Sequence, residues 1–335
     1  MPMKYSIVIV TYNRQKELVQ CLESIRKSPT SHPFEVVVVF NGDRTNIERF
    51  SRIYKDYSFY FINKTTPAAA RNFGVTKVRG EYLFFLDDDC TLPPDYFSHL
   101  NFDSGWDVLG GPDQTPRNAS VFQKLTGEVL SSPLCMGPTY KRHTKTDNYS
   151  SDSSERELIL CNLWMKTSLF HAEGFKFNAD LFRNEENFLL KELKEKGKIL
   201  HYSSEIYVYH LRKENLEKLG AAVIKSGECR VLNFVTLPNR KELIYFLPLV
   251  SFLSFLWLVF HPQSFLIFVF AVYALTVALY NAVVWKSFSF KYIFMHYFIL
   301  GAYAIGLSKG LWKFGPIFYN NFKENRSFIN ESSSK

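Results

Sequence analysis

Residues 82–90 read YLFFLDDDC. The apolar, aromatic-rich run Tyr82 to Leu86 has the length and composition of a buried strand. It delivers three adjacent carboxylates, Asp87, Asp88 and Asp89. Three acids in a row repel one another and lose hydration on burial unless a cation or donors compensate them. Alternate residues of an extended chain point the same way, so Asp87 and Asp89 are expected to converge while Asp88 faces elsewhere. Hard oxygen ligands suit Mg2+ or Mn2+, usually shared with substrate phosphates. An acidic turn closing a strand is the plainer reading. The neighbouring segments decide between the two.

Upstream, residues 6–10 form a continuous β-branched run broken by Thr11, Tyr12 and Asn13, which reads as a second buried strand. Leu18, Leu22 and Ile25 then share one helical face, with Pro29 beyond the helix end. Residues 35–40 (EVVVVF) are another strand ending in Asn41-Gly42-Asp43, and residues 59–62 a further one. Thr66-Pro67 caps a helix over residues 68–77, and Gly80 stops it before Tyr82. This alternation predicts an α/β fold with a mostly parallel, Rossmann-like sheet. Residues 11–14, 41–43 and 87–89 then line one cleft along the carboxyl edge of the strands, where open α/β sheets bind ligands.

The 335 residues suffice for one large domain or two smaller ones, and a net charge of +8 favours acidic partners such as phosphates or an anionic membrane face. No dense Lys/Arg block points to nucleic acid. Cys21, Cys90, Cys135, Cys161 and Cys229 form no ligand-like spacing, which argues against zinc and against a disulfide framework. The apolar run 5–10 is too short for a signal-peptide core, so the N-terminal half is expected to stay where it is made. Residues 112–157 are rich in Pro, Gly, Ser and charge and read as a long flexible loop, most loop-like over 148–155. Order resumes near Leu158. Residues 185–197 read as a helix with Gly197 at its C-terminal cap, and residues 206–209 as a strand leading into His210-Leu211-Arg212.

After Arg240-Lys241-Glu242 the composition changes. Residues 243–285 contain no Asp, Glu, Lys or Arg, enough to cross a bilayer twice at roughly 20 residues per helix. The turn at His261-Pro262-Gln263 lacks Lys and Arg, whereas Arg240, Lys241, Lys286 and Lys291 flank the hairpin. The positive-inside rule therefore places the N-terminal region in the cytoplasm, attached to the inner cell membrane by a multi-pass anchor. A full third crossing by residues 292–312 would strand Lys309, Lys313, Lys323 and Arg326 outside, so that segment is expected to be interfacial or re-entrant. The expected domains are 1–240 (donor half 1–111, loop 112–157, acceptor half 158–240), a membrane region 241–315 and a polar tail 316–335.

The segments SIVIVTYNR (6–14), VVVVFNGD (36–43), AAARNFGVTKVRGEYLFFLDDD (68–89), CNLWMKTSLFHAEGF (161–175) and NEENFLLKELKEKGK (184–198) together resemble inverting, nucleotide-sugar-dependent family 2 glycosyltransferases of the GT-A type with C-terminal membrane segments. The resemblance implies a nucleotide-diphosphate sugar donor, held by Thr11, Tyr12, Asn13, Arg14, Asn41, Asp43, Arg71, Asn72, Asp87, Asp88 and Arg212. It implies a divalent cation, Mn2+ or Mg2+, at the DxD-type acids. Asp89 would be the direct ligand, Asp87 would contact ribose or a metal-bound water, and His210 is a further metal candidate. Asn41-Gly42-Asp43 stands where the family has Asp-Asp-Gly-Ser, which leaves the nucleotide base open between UDP, GDP and dTDP. Glu185-Glu186 occupies the family's acidic pair. A carboxylate in the first turn of a helix is stabilised as an anion, and Glu186 is the expected base, with Glu185 the alternative. The implied acceptor is a lipid-linked or cell-surface glycan. Polyprenyl phosphate as direct acceptor is one alternative, and a catalytically silent membrane-bound nucleotide-binding scaffold is another.

Overall fold

The structure is a computed structural model describing residues 2–145, 149–287 and 289–332. The chain divides into two compact units, Met1–Arg212 and Lys213–Lys335. The boundary therefore falls before the abrupt loss of charge at 243, and residues 213–240 belong with the apolar helices.

In the first unit the alternation becomes β1 (Tyr5–Thr11), α1 (Gln15–Arg26), β2 (Phe34–Asn41), α2 (Ile47–Ile53), β3 (Ser58–Ile62), α3 (Pro67–Val75) and β4 (Tyr82–Leu86). These strands are parallel, in spatial order β3-β2-β1-β4. Buried residues alternate between two cores. Ile7, Ile9, Val36, Val38 and Phe84 face Leu18, Leu22 and Trp164, whereas Val8, Val37, Val39, Leu83 and Phe85 face Leu189, Leu190 and Leu193. Both faces are covered, which is why these strands read as unbroken apolar runs. Each such side chain contributes about 1.5–3 kcal/mol by burial. At Gly80 a Cβ would collide with the backbone of Tyr5 and Ser6, so the crossover into β4 needs glycine there.

The chain continues as β5 (Cys90–Thr91), β6 (Val108–Gly110), β7 (Asp113–Gln114), α4 (Val121–Leu130), α5 (Pro133–Met136), β8 (Tyr149–Ser150), β9 (Asn162–Lys166), α6 (Ser168–His171), α7 (Glu185–Glu195), β10 (Leu200–Ser203) and β11 (Val208–His210). The main sheet extends β4-β9-β6-β10-β8. β9 is antiparallel to β4 and β6, and β10 is parallel to β6, so β4, β6 and β10 all end on the same edge. A small sheet, β5-β11-β7, sits at that edge and pairs His210 with Cys90.

Residues 112–157 are not the long flexible loop expected. They carry β7, α4, α5 and a 3-10 turn, Gly137–His143. The serines that read as loop signals are caps. The Ser120 hydroxyl accepts from Gln123 N at 3.2 Å while Ser120 N donates to the Gln123 side chain at 3.0 Å, a capping box. Ser132 caps α5. Asn148, at the head of the stretch 148–155, lies outside the described residues, as do residues 333–335 of the expected tail.

The second unit contains α8 (Leu216–Thr236), a 3-10 turn Arg240–Phe246, α9 (Leu247–Phe260), α10 (Ser264–Val284) and α11 (Phe290–Ser332). Three segments, Arg240–Phe260, Ser264–Val284 and Phe290–Pro316, are long and apolar enough to cross a membrane. The third does not turn back as a re-entrant loop would, because α11 is one continuous helix. Its Gly306 is a packing point and not a break: a Cβ there would meet the Ile224 carbonyl and Gly227 of α8. Lys313, one of the cations that argued against a crossing, pairs with Glu228 at 3.2 Å.

Candidate active site

The acids after β4 do not stay extended. The strand stops at Leu86 and Cys90 N donates to Asp87 O at 3.0 Å, closing a turn. Alternation therefore fails beyond the strand end, and the pairing expected of Asp87 with Asp89 is replaced. Arg14 Nη1 donates to Asp88 Oδ1 at 2.9 Å and to Asp89 Oδ2 at 2.7 Å. Asp87 turns the other way, to Arg71 Nη2 at 2.7 Å. Burial pushes the Asp88 carboxyl up to about 6 against the pull of Arg14, with the Asp89 charge adding to the rise. A hydrogen bond with the Thr11 side chain, at the end of β1, works the other way.

Arg71 projects from the middle of α3 and is buried. Its second nitrogen, Nη1, donates to Glu185 Oε1 at 2.6 Å. One guanidinium thus joins the strand-end turn to the start of α7, where Asn184, in a left-handed conformation (φ 60°), swings the chain into the helix. Burial raises the Glu185 carboxyl to about 7; Arg71 opposes this and the neighbouring Glu186 charge adds to it. Glu186 is also buried, and its Oε1 lies 3.4 Å from Arg142 Nη1 in the 3-10 turn. Arg142 is held by close contacts to the Glu155 carbonyl and the Asn187 side chain.

A second cluster lies on the far side of Asp89. His210 Nε2 is 3.3 Å from Asp89 Oδ1, and its Nδ1 is 2.7 Å from Asp113 Oδ2. Arg212 donates to both Asp113 oxygens, at 2.7 and 2.8 Å, and His143 Nδ1 lies 2.6 Å from Asp113 Oδ1. Asp113 is fully buried; burial alone would raise its pKa, yet Arg212 and His143 hold it well below the usual carboxylate range. Burial likewise disfavours the charged His210 ring, but Asp89 and the hydrogen bond to Asp113 raise its pKa well above the ordinary value. Asp113 fixes the ring so that Nε2 faces Asp89, the way outer carboxylates orient metal-binding histidines.

A cleft of about 220 Å3 opens beside Asp89, lined by Glu17, Gln20, Asp89, Thr91, Pro116, Asn118, Tyr209 and Leu211. Asp89 lines this cleft, and its carboxylate with the His210 imidazole 3.3 Å away fits a borderline-hard divalent cation such as Mn2+. Asp89 and His210 are the residues that would hold it. The fold also gathers Cys90, Cys161 and His210, whose ligand atoms all lie within 4.8 Å of one another. Sequence spacing concealed this grouping, because β11 pairs with β5 only in the folded chain. Burial pushes the Cys90 thiol well up, and Cys161 Sγ lies 3.9 Å from His210 Nδ1.

Other expected donor contacts divide. Tyr12 is 47% exposed, with the Lys64 ammonium over its ring, and Asn13 takes a positive φ of 53°. Both stand free of the carboxylate network at the edge where Arg14 enters it. Asn41 is committed to structure: its amide donates to Thr65 O at 3.0 Å and accepts from Thr65 N at 2.8 Å. Asp43 is on the surface and accepts from Thr45 N at 2.9 Å in its own turn; that turn lowers its pKa. Asn72 stitches α3 to the Phe177 backbone, at 2.8 and 2.9 Å. Arg212 is held by Asp113 and Thr115. Asp113, Arg142 and His143 join the site without any signal in the sequence. Each lies in a stretch whose Pro, Gly and Ser content read as loop.

Residues 6–101 match the family model described as glycosyl transferase family 2. A glycosyltransferase of Haemophilus influenzae, itself uncharacterised, is 39% identical over 202 residues, covering 57% of this chain and 62% of the relative. The GalNAc(5)-diNAcBac-PP-undecaprenol beta-1,3-glucosyltransferase of Campylobacter jejuni is 22% identical over 220 residues, 61% of this chain and 64% of that one. Among solved structures, the mannosyltransferase PcManGT of Pyrobaculum calidifontis, in complex with GDP-Man and Mn2+, superimposes with a TM-score of 0.58 at 14% identity, covering 93% of this chain and 90% of that one. The fold is therefore of the GT-A type. The chain spans only 13% to 37% of the length of three other curated glycosyltransferases that it matches.

Proposed function

We infer that this chain, whose residues 6–101 match the glycosyl transferase family 2 model, transfers a sugar from a nucleotide-diphosphate donor to a membrane-associated acceptor with inversion at the anomeric carbon. The observation that carries this reading is the single guanidinium of Arg71, bonded at 2.7 Å to Asp87 and at 2.6 Å to Glu185. It ties the DxD-type turn to the acidic pair of α7, so a donor-binding end and a base-bearing end belong to one buried network.

In this reading Asp89 and His210 would hold a divalent cation, whose chemistry when bound would be Lewis-acid stabilisation of negative charge on a departing diphosphate. The half-exposed Arg14 guanidinium, which rests on Asp88 and Asp89, would meet the same charge. The bond from the anomeric carbon to the diphosphate oxygen breaks as the acceptor oxygen attacks from the opposite face. The acceptor's proton passes to Glu186. Glu185 is less suited to that task, because its carboxylate is spent in a 2.6 Å bond holding Arg71. The contact from Arg142 to Glu186 is longer, 3.4 Å, and leaves that carboxylate's lone pairs less committed. The apolar C-terminal helices favour an acceptor that is itself lipid-linked or membrane-bound, and the charges flanking 243–285 favour a cytoplasmic site on the inner membrane.

The test is a panel of nucleotide sugars added with Mn2+ to the detergent-purified protein, read as thermal stabilisation. At one hundred times its dissociation constant, the true donor should add about 2.7 kcal/mol, and Asp89→Asn should abolish the shift. A panel in which no nucleotide sugar stabilises the wild type would favour the silent scaffold.

A further inference from the structure

The buried acids Asp88 and Asp89 already have a cation, and it belongs to the protein. Arg14 Nη1 bridges Asp88 Oδ1 at 2.9 Å and Asp89 Oδ2 at 2.7 Å. The second Asp89 oxygen faces His210 Nε2 at 3.3 Å. A divalent cation approaching Asp89 therefore meets a guanidinium already on the carboxylates, and like charges repel strongly where water is scarce. Arg14 is also placed to leave. Its side chain is 42% exposed, whereas those of Asp88 and Asp89 are 5% and 8% exposed. Its backbone is anchored at the head of α1, where Leu18 N donates to Arg14 O at 2.9 Å, so only the side chain needs to move. A diphosphate offers that side chain a strong alternative, since the planar guanidinium pairs bidentately with phosphate oxygens.

We propose that Arg14 is the resting counter-ion of the Asp88–Asp89 pair, and that it yields these carboxylates to a divalent cation only when a diphosphate arrives to take the guanidinium. Cation and nucleotide then bind as one unit, and the metal alone binds poorly. This rests on the donor-site reading above and adds the residue that makes cation binding conditional.

The experiment measures Mn2+ binding to the full-length, detergent-purified protein from the magnetic-resonance signal of free Mn2+, alone and with UDP or GDP. In the wild type, UDP or GDP is expected to tighten Mn2+ binding about tenfold or more, and Arg14→Gln to bind Mn2+ alone about tenfold tighter than the wild type, the scale of one relieved like-charge contact. Arg14→Gln should also lose most of the nucleotide enhancement. Arg14→Lys, which keeps the charge without the bidentate fork, should fall between. Equal Mn2+ affinities for wild type and both variants without nucleotide overturn the proposal. So does a wild type that binds Mn2+ as tightly alone as with UDP and GDP. If Arg14→Gln folds poorly, its melting temperature serves instead: Mn2+ alone must raise it more than it raises the wild type's, and an equal or smaller rise overturns the proposal. Asp89→Asn separates the two levels. Mn2+ binding indifferent to Asp89 defeats the donor-site reading itself, whereas binding that needs Asp89 but ignores Arg14 defeats only this inference.

Discussion

Two arginines hold the acids of this site, and they do so differently. Arg71 sits inside the protein with a 10% exposed side chain, bonded to Asp87 and Glu185 from two distant segments. Arg14 sits at the surface with a 42% exposed side chain, bonded to neighbouring acids of one turn. A buried charge that loses its partner is left uncompensated, whereas a half-exposed one turns to water or to another anion. Arg71 is thus a fixed strut between two parts of the site, and Arg14 an exchangeable contact. The same chemical pairing serves architecture in one place and ligand exchange in the other.

The comparison can be broken most forcefully at the end that Arg71 supports. Glu186→Gln should lower turnover about 10²–10⁴-fold, the contribution of a positioned base, with donor binding retained. If turnover survives, Glu185 takes the role and the strut reading of Arg71–Glu185 must be revised. Arg71→Ala should destabilise the protein by about 3–5 kcal/mol, the cost of breaking a buried pair, seen as a large drop in the detergent-solubilised melting temperature. Arg14→Gln leaves the buried Asp88 and Asp89 carboxylates without that donor and should cost about 1–3 kcal/mol, less than Arg71→Ala because the site at Arg14 is half open to water. Equal losses for the two substitutions would erase the distinction.

The smallest effect is a slope with pH. The Glu185 carboxyl is raised from its ordinary 4.5 to about 7 in the folded protein. Between those values the native state keeps a proton that the unfolded chain has lost, so Glu185 makes stability fall as pH rises from 4.5 to 7. Asp113, held well below its ordinary 3.8, acts oppositely: its contribution is present above 3.8 and is lost as pH falls through its lower folded value. Glu185→Gln should flatten the dependence between 4.5 and 7 whatever it does to absolute stability, and an unchanged slope in melting temperature against pH would show that Glu185 does not titrate there.

What the sequence disclosed follows from where the physics is local. Buried parallel strands announce themselves as runs such as Val36–Val39 because both faces are covered, and caps such as Thr66-Pro67 act within one turn. The direction of the three acids was not local: it depended on the strand ending at Leu86, and a turn then sent Asp87 to Arg71 and left Asp88 and Asp89 to Arg14. Asp113 and Arg142 were invisible for a related reason. They lie in a stretch whose Ser120 and Ser132 resemble loop residues and serve as helix caps, and their partners are tens of residues away. Cys90 met His210 through the pairing of β11 with β5, and Cys161 joined them just before β9, which pairs with β4. In the second unit, composition disclosed the apolar segments, but not that α11 runs on as one helix with Gly306 packed against α8.

The most direct test of the account is release of nucleoside diphosphate from a nucleotide sugar by the purified, full-length protein, with Mn2+ and a membrane extract as acceptor source. The account predicts release that requires Mn2+, falls about a thousandfold in Asp89→Asn as electrostatic stabilisation of the leaving group is lost, and gives a product of inverted anomeric configuration. Release that persists undiminished in Asp89→Asn, or a product of retained configuration, would contradict it.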